Sequence, residues 1–149
     1  MSSAHLHLLL NHFPVIGTII IILVIGYGIL KKDKAIIKTA LLITVFISIV
    51  TIFAYTTGDG AQQMVEGMDD VTEKYIDEHE DAAGFSFIIM EILGGVSLIG
   101  LILFNKKEHY PSWFIAVIVF LLLATASTMA RTANLGGKIH HPEIQKDVF

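Results

Sequence analysis

The sequence predicts an all-α membrane protein: a four-transmembrane-helix bundle with an acidic amphipathic outer helix between spans 2 and 3. Two observations favour this fold class. The 149 residues are 54% hydrophobic and their mean hydropathy is +0.69, which is too apolar for a soluble domain of this size. Four apolar stretches also approach or exceed the roughly 20 residues that cross about 30 Å of hydrocarbon.

The predicted spans cover about residues 8–30, 36–57, 83–104 and 112–133, with an outer loop at 58–82. Together they use most of the chain, so we expect a single integral membrane domain over residues 1–149. The chain begins without a basic segment and its first apolar run has span length, so no cleavable signal is expected.

Charge segregation predicts the orientation in the membrane. The first and third loops carry six lysines, Lys31, Lys32, Lys34, Lys38, Lys106 and Lys107, and the second loop is strongly acidic. The positive-inside rule places the lysine loops in the cytoplasm. An even number of spans then puts both termini on the periplasmic side of a bacterial inner membrane.

Span 1 opens with His12, Phe13 and Pro14. Proline is tolerated in the first helical turn, where its missing N–H is not needed. Regular helix is therefore expected from near Asn11, with His12 about one turn inside the membrane end. His5 and His7 precede that point.

Span 2 is expected to end at Gly58-Asp59-Gly60, because glycines stop helices and turn the chain. An apolar stripe of Met64, Met68, Val71 and Tyr75 then follows at helical spacing. His79 continues this stripe. The pattern predicts a short outer helix over the mouth of the bundle, and the alternative is a solvated acidic helix that happens to contain a histidine.

Span 3 carries Glu91 about two turns from its outer end, where a carboxylate costs a few kcal/mol unless it is paired or neutral. Glu91 is either a protonated acid bonded to a neighbouring helix or a member of a proton or ion path. The span's glycines allow close approach of another helix or of a flat cofactor; they are Gly84, Gly94, Gly95 and Gly100.

Span 4 is rich in small residues near its outer end, where Arg131 also lies. Arg131 could reach lipid phosphate, pair with an outer-loop acid, or bind a carboxylate such as a haem propionate. Gly136-Gly137 is expected to end the helix, after which the segment KIHHPEI folds back over the mouth.

Histidine placement is the strongest functional signal in the sequence. One histidine, His109, falls on the cytoplasmic side beside Tyr110 and Trp113. The other six fall on the outer side and converge from distant parts of the chain: His5, His7, His12, His79, His140 and His141.

The opening LHLLLNHFP resembles a bacterial family of four-helix membrane proteins of unknown function. The resemblance rests on His7, His12, Phe13 and Pro14, on the Gly136-Gly137 pair, and on Asp59 and His79. The chain departs from that pattern because no proline follows His7, and its HHPE tail has no clear counterpart. Some relatives look like membrane b-type haem proteins, so the resemblance implies haem binding.

The first hypothesis is therefore a haem b with two histidine ligands near the outer face, since four-helix bundles hold cofactors between facing side chains. His12 and His79 are the expected ligands, with His7 and His141 as replacements or a second pair, and Arg131 serves the propionates. Electron transfer with quinone or a periplasmic or membrane redox protein would follow.

Two other hypotheses remain open. One is a copper, zinc or iron site built from the same histidines with Asp59, Glu66 or Glu80. The other is a structural or transport subunit in which the histidines and Glu91 serve protons or structure. Four short helices enclose little volume, so a homo-oligomer or a place in a larger complex is expected.

The composition excludes several function classes. The absence of cysteine rules out disulfides, thiolate metal sites, iron–sulfur clusters and haem attached through cysteine. Hydrolase nucleophile motifs, phosphate-binding loops and basic nucleic-acid patches are also missing. The sequence predicts no particular reaction.

Overall fold

The computed structural model describes residues 2–65, 73–141 and 145. It confirms the all-α four-helix bundle, and the described residues contain no strand. The helices are α1 (Ser3–Leu10), α2 (His12–Lys31), α3 (Lys34–Thr56), α4 (Gly58–Val65), α5 (Glu73–Leu103) and α6 (Ser112–His140).

Four helical segments among the described residues are long and apolar enough to cross a membrane: Ser3–Lys31, Lys34–Met64, Glu73–Leu103 and Ser112–Ile139. Their outward faces carry large apolar side chains, such as Leu23, Ile102 and Phe120, which are 67%, 68% and 72% exposed. Apolar surface of this extent suits lipid rather than water. The chain is a multi-pass membrane protein.

The four long helices pack in a ring, in which α2 contacts α3, α3 contacts α5, α5 contacts α6, and α6 closes the ring on α2. The core lies along the centre of this ring and includes Ile21, Leu41, Leu93 and Ile118, all fully buried. Each span therefore hides one stripe of side chains and exposes the rest.

Two of the span 3 glycines allow close approach of another helix, which was one of the two roles predicted for them. A Cβ atom at Gly94 would overlap the Ser48 side chain on α3, and one at Gly100 would overlap the ring of Phe114 on α6. In contrast, a Cβ atom at Gly95 would meet nothing within 4 Å. Close approach of the helices therefore requires glycine at Gly94 and Gly100 but not at Gly95.

Helix begins earlier than expected at the N-terminus. The long helix of span 1, α2, begins at His12, next to Asn11 as predicted. A further helix, α1, precedes it from Ser3, and Asn11 forms a single turn residue between the two. The hydroxyl oxygen of Ser2 accepts from the backbone N–H of His5 and so caps α1. Pro14 lies in the first turn of α2, as predicted.

Of the two predicted glycine stops, the first agrees with the structure, since α3 ends at Thr56, and the second was wrong. Gly58 and Gly60 lie in the first turn of α4, and only Thr57 separates α4 from α3. Gly136 lies inside α6, which continues to His140. A Cβ at Gly60 would crowd Ser3 and one at Gly136 would crowd His79, so these glycines give neighbouring helices room rather than ending their own.

The segment predicted as an outer amphipathic helix is described only in part, by α4 and by the start of α5. Met64 is exposed near the end of α4, whereas Tyr75 and His79 belong to α5, which is continuous with span 3. The intervening Met68 and Val71 lie outside the described residues, as does Glu66.

The two lysine loops meet at one end of the bundle, as the charge pattern predicts. Lys34 Nζ donates to the backbone carbonyls of Asn105, at 2.7 Å, and of Lys107. Lys38 Nζ donates to Asn105 Oδ1 at 3.2 Å. We refer to this as the lysine end and to the opposite end, which carries His7 and His79, as the histidine end.

Candidate functional site

The candidate site is a pair of histidines, His7 on α1 and His79 on α5, at the same end of the bundle. Each side chain is partly buried, and the two imidazoles are close enough for positive charge on one to repel positive charge on the other. We call these two residues the histidine pair. Sequence separation gives no hint that these two residues lie at one end of the bundle, which depends on how the helices pack.

Both members of the histidine pair are held by the same kind of hydrogen bond. His7 Nδ1 lies 2.9 Å from the carbonyl oxygen of Ala54 on α3. His79 Nδ1 lies 2.9 Å from the carbonyl oxygen of Thr132 on α6. A carbonyl oxygen only accepts, so Nδ1 carries the proton in both rings. In a neutral imidazole the Nε2 atom then keeps its lone pair and is the atom that can bind a metal.

Each of these hydrogen bonds also connects two helices at this end of the bundle. His7 links α1 to α3, and His79 links α5 to α6. The Thr132 region is fixed further by the hydroxyls of Ser86 and Thr132, which lie 2.9 Å apart. The orientation of each ring is thus set by the packing of two helices rather than by a loop.

Glycines lie against both rings. A Cβ at Gly136 would lie 3.0 Å from His79 Cε1 and 3.2 Å from His79 Nδ1. A Cβ at Gly58 would lie 3.7 Å from His7 Cε1. The space beside His79 is therefore so narrow that any side chain at Gly136 would displace the ring or its hydrogen bond, whereas Gly58 leaves His7 ordinary contact distance.

The structure does not bring every predicted histidine to this pair. His12, one of the two expected ligands, lies on an exposed face of α2, and His141 is exposed just after the end of α6. His5 is exposed near the N-terminus, where its Nδ1 lies 2.7 Å from Ser2 Oγ. His7, expected only as a replacement, is the histidine that interacts with His79.

The acidic residues suggested as metal ligands are spread around the mouth. Asp59 on α4 and Glu80 on α5 are exposed, and Glu66 is outside the described residues. Within residues 2–65, 73–141 and 145, the structure gathers no group of three or more His, Asp or Glu side chains that could hold a metal ion.

Arg131 lies away from the histidine pair. Its side chain is exposed and lines a shallow cavity of about 240 Å³ between α5 and α6, together with Asp81, Phe85 and Ser127. Of the three expected roles, this position brings Arg131 nearest to an outer-end acid, Asp81. A role toward a haem propionate stays a prediction.

Glu91 is bonded to a neighbouring helix, as one of its two predicted roles requires. Ser48 on α3 donates its hydroxyl to Glu91 Oε2 at 2.8 Å. The other oxygen, Oε1, is buried and has no hydrogen-bond partner among the described residues. Glu91 therefore connects α3 to α5 within the membrane, well below the histidine pair.

Sequence reasoning missed several residues around the mouth. Lys138 Nζ lies 5.7 Å from the centre of the Tyr75 ring, and Gln145 donates from Nε2 to the Lys138 carbonyl at 2.9 Å. The Tyr75 hydroxyl donates to the Gln145 carbonyl at 3.4 Å. These contacts place Gln145 beside α6 and the start of α5. Of the KIHHPEI segment, residues 138–140 continue α6 instead of folding back, and residues 142–144 lie outside the described residues. The sequence offers no signal that Lys138 would contact Tyr75.

An aromatic pair lies beside the histidine pair. Tyr55 directly follows Ala54, and its ring stacks on Phe87 with centroids 4.5 Å apart and planes 8° from parallel. A Cβ at Gly84 would lie 3.4 Å from the Tyr55 hydroxyl. The spacing of Gly84 and Phe87 on one helix face is the signal that could have predicted this contact.

Comparisons with protein-family models, with curated proteins and with solved structures found no match to this chain. The resemblance to a four-helix membrane family stays a prediction, and the site has to be interpreted from its own geometry.

Proposed function

We propose that this protein binds a b-type haem at the histidine end, with His7 and His79 as its two axial ligands, and transfers electrons in a bacterial inner membrane. The observation that carries this proposal is the matched anchoring of two imidazoles at one end of the bundle through Nδ1, to Ala54 and Thr132. Both Nε2 atoms then keep the lone pair that iron requires.

The proposal moves one ligand role from His12 to His7. A haem held by two histidines would need both imidazoles at one site, and the charge of His7 acts on His79. His12 instead lies on an exposed face of α2. Because residues Ser3–Leu10 form a helix, His7 lies near the end of α3, where its ring contacts Ala54.

The chain's own residues fit the demands of a non-covalent haem. An imidazole whose other nitrogen donates to a backbone carbonyl is fixed in tautomer and direction, and such a bond increases the basicity of the ligating nitrogen. Gly136 lies against the His79 ring and carries no side chain that would displace it. Haem would supply one-electron chemistry, while the bundle would set the ligands and limit access of water.

The number of donors favours haem over a bare metal ion. Bis-histidine haem needs two protein ligands, because the porphyrin supplies four nitrogens. Zinc and copper sites generally take three or four protein ligands, and the described residues gather no third His, Asp or Glu donor at the pair. A copper, zinc or iron site would need a donor that moves in from elsewhere.

The orientation follows from the lysines. If the lysine end faces the cytoplasm, as the positive-inside rule requires, the histidine pair lies near the periplasmic face. Haem there would exchange electrons with quinone in the bilayer or with a periplasmic or membrane redox protein.

The test is an absorption spectrum of the detergent-purified protein, expressed with added haem and recorded before and after dithionite. A Soret band that sharpens and shifts on reduction, with resolved visible bands, would support a low-spin haem with two histidine ligands. A colourless protein would refute the haem proposal. Metal analysis of the same sample would then separate a metal site, with stoichiometric metal, from a structural or transport subunit, with none.

A further inference from the structure

A second cavity lies at the lysine end, opposite the histidine pair. It measures about 420 Å³ and opens where the junction of α2 and α3 meets the start of α6. Its polar lining consists of Lys32, Lys34, His109, Tyr110 and Ser112. The proposed haem site uses none of these residues.

Positive charge dominates this cavity. Lys34 is held in place by the carbonyls of Asn105 and Lys107, and its Nζ lies 5.9 Å from the centre of the Tyr110 ring. Lys32 is exposed at the end of α2. Of the nearby acids, Asp33 already accepts from the N–H groups of Ala35 and Ile36; the other, Glu108, is exposed in the α5–α6 loop.

Hydrogen-bond donors without partners complete the lining. Tyr110 is 7% exposed, and its hydroxyl is buried with no partner among the described residues. Burial raises the pKa of this hydroxyl, so it stays a donor at neutral pH. The first turn of α6 begins at Ser112 without a side-chain cap, and uncapped N–H groups at a helix start attract anions.

We propose that this cavity binds the phosphate group of an anionic lipid. Two lysines, an unpartnered buried hydroxyl and a helix N-terminus together form a site for a phosphate oxygen. The remaining lining is apolar, from Ile29, Ile37 and Ile115. A phosphate attached to acyl chains matches a site that is basic on one side and apolar on the other, as known for basic pockets between transmembrane helices.

The chain offers a direct probe of this site. Its single tryptophan, Trp113, adjoins Ser112 and is 64% exposed. In vesicles that mix phosphatidylcholine with phosphatidylglycerol, bromine can be placed on the acyl chains of one lipid or the other. If phosphatidylglycerol occupies the site, its brominated form will quench Trp113 more than brominated phosphatidylcholine does at equal mole fraction.

Two variants tie the preference to the cavity. Lys32→Gln removes one charge near the headgroup and is expected to lower the preference about fivefold. Tyr110→Phe keeps the buried ring and removes only the hydroxyl, and it is expected to lower the preference by a few fold. Lys74→Gln makes the same charge change at the histidine end and should leave the preference unchanged.

Equal quenching by the two brominated lipids would overturn the proposal. A quenching preference that survives Lys32→Gln would also overturn it, since this exposed position tolerates the change. So would a loss of the preference in Lys74→Gln as large as the loss in Lys32→Gln. Competition with inorganic phosphate distinguishes a lipid phosphate from free phosphate. If phosphate added to the vesicles removes the preference, the site takes free phosphate and the lipid assignment is wrong; if it does not, the lipid is the ligand.

Discussion

His7 and His79 lie at the same end of the bundle, and each donates its Nδ1–H to a backbone carbonyl at 2.9 Å on a different helix. Ala54 supplies the first carbonyl and Thr132 the second. This arrangement fixes two imidazoles in the tautomer that leaves Nε2 ready to bind. It is the basis of the proposed haem site.

The glycine beside His79 provides a first prediction. Gly136→Ala would place a methyl group 3.0 Å from His79 Cε1, so the ring must shift or weaken its bond to Thr132. Disturbing such a supporting contact costs about 10–100-fold in affinity, and haem titration of the apo-protein should show a loss of that size.

Gly26→Ala is the matched control, because a Cβ at Gly26 would meet nothing within 4 Å. Its haem affinity should equal that of the unaltered protein. If Gly136→Ala bound haem as tightly as Gly26→Ala does, the space beside His79 would have no part in the site.

A second prediction concerns helix packing in the membrane. Gly94→Ala would force a methyl group into Ser48 and push α3 away from α5, and overpacking of this kind costs about 1–3 kcal/mol. Gly95→Ala, one residue along the same helix, points into open space and should be neutral. The midpoint of unfolding in a denaturing detergent would measure both.

If Gly94→Ala and Gly95→Ala unfolded at the same detergent fraction, the close contact of α3 and α5 would be wrong. A third variant, Gly100→Ala, should resemble Gly94→Ala, because its methyl group would enter the ring of Phe114 on α6.

The Ser48–Glu91 bond gives a third prediction. Ser48→Ala removes the partner of Glu91 Oε2 and leaves the carboxyl group unbonded within the membrane. Hydrogen bonds between transmembrane helices contribute about 0.6–2 kcal/mol, so unfolding should become easier by that amount. Glu91→Gln keeps an oxygen that accepts from Ser48 and should cost less than Ser48→Ala.

Ser127→Ala is the control for this experiment, because its exposed hydroxyl bonds only to the Leu123 carbonyl one turn back on the same helix. A Ser48→Ala protein as stable as Ser127→Ala would show that the contact between α3 and α5 does not depend on Glu91.

A fourth prediction is that haem stabilises the histidine end. A ligand that binds only the folded protein increases its stability in proportion to the logarithm of its concentration above Kd. Hydrogen exchange should therefore slow on adding haem in α1 and in the first turns of α5, and should stay unchanged at Lys34 and Asn105. Equal protection at both ends would place the haem elsewhere.

The four spans were predictable because each is an apolar stretch long enough to cross a membrane, and the six lysines correctly placed two loops at one end. The helix ends were less predictable. Glycine has the same sequence signature whether it ends a helix or makes room for a neighbour, and Gly60 and Gly136 do the latter. The distinction depends on which side chain arrives from another helix.

The candidate site was predictable as a region but not as a pair. Histidine content pointed to the end of the bundle that carries His7 and His79, and His79 was expected as a ligand. Its partner depended on α1, which the residues before Pro14 did not reveal as helix. With helix from Ser3, His7 reaches Ala54 while His12 lies on an exposed face. Backbone carbonyls, which fix the tautomers, leave no mark in the sequence.

The most direct test of the account compares three single substitutions, His7→Ala, His79→Ala and His12→Ala, by the dithionite-reduced absorption spectrum after haem is supplied. The account predicts that His7→Ala and His79→Ala each lose the low-spin bands, while His12→Ala keeps the spectrum of the unaltered protein. Loss of those bands in His12→Ala, with His7→Ala unaffected, would contradict it and return the second ligand to α2.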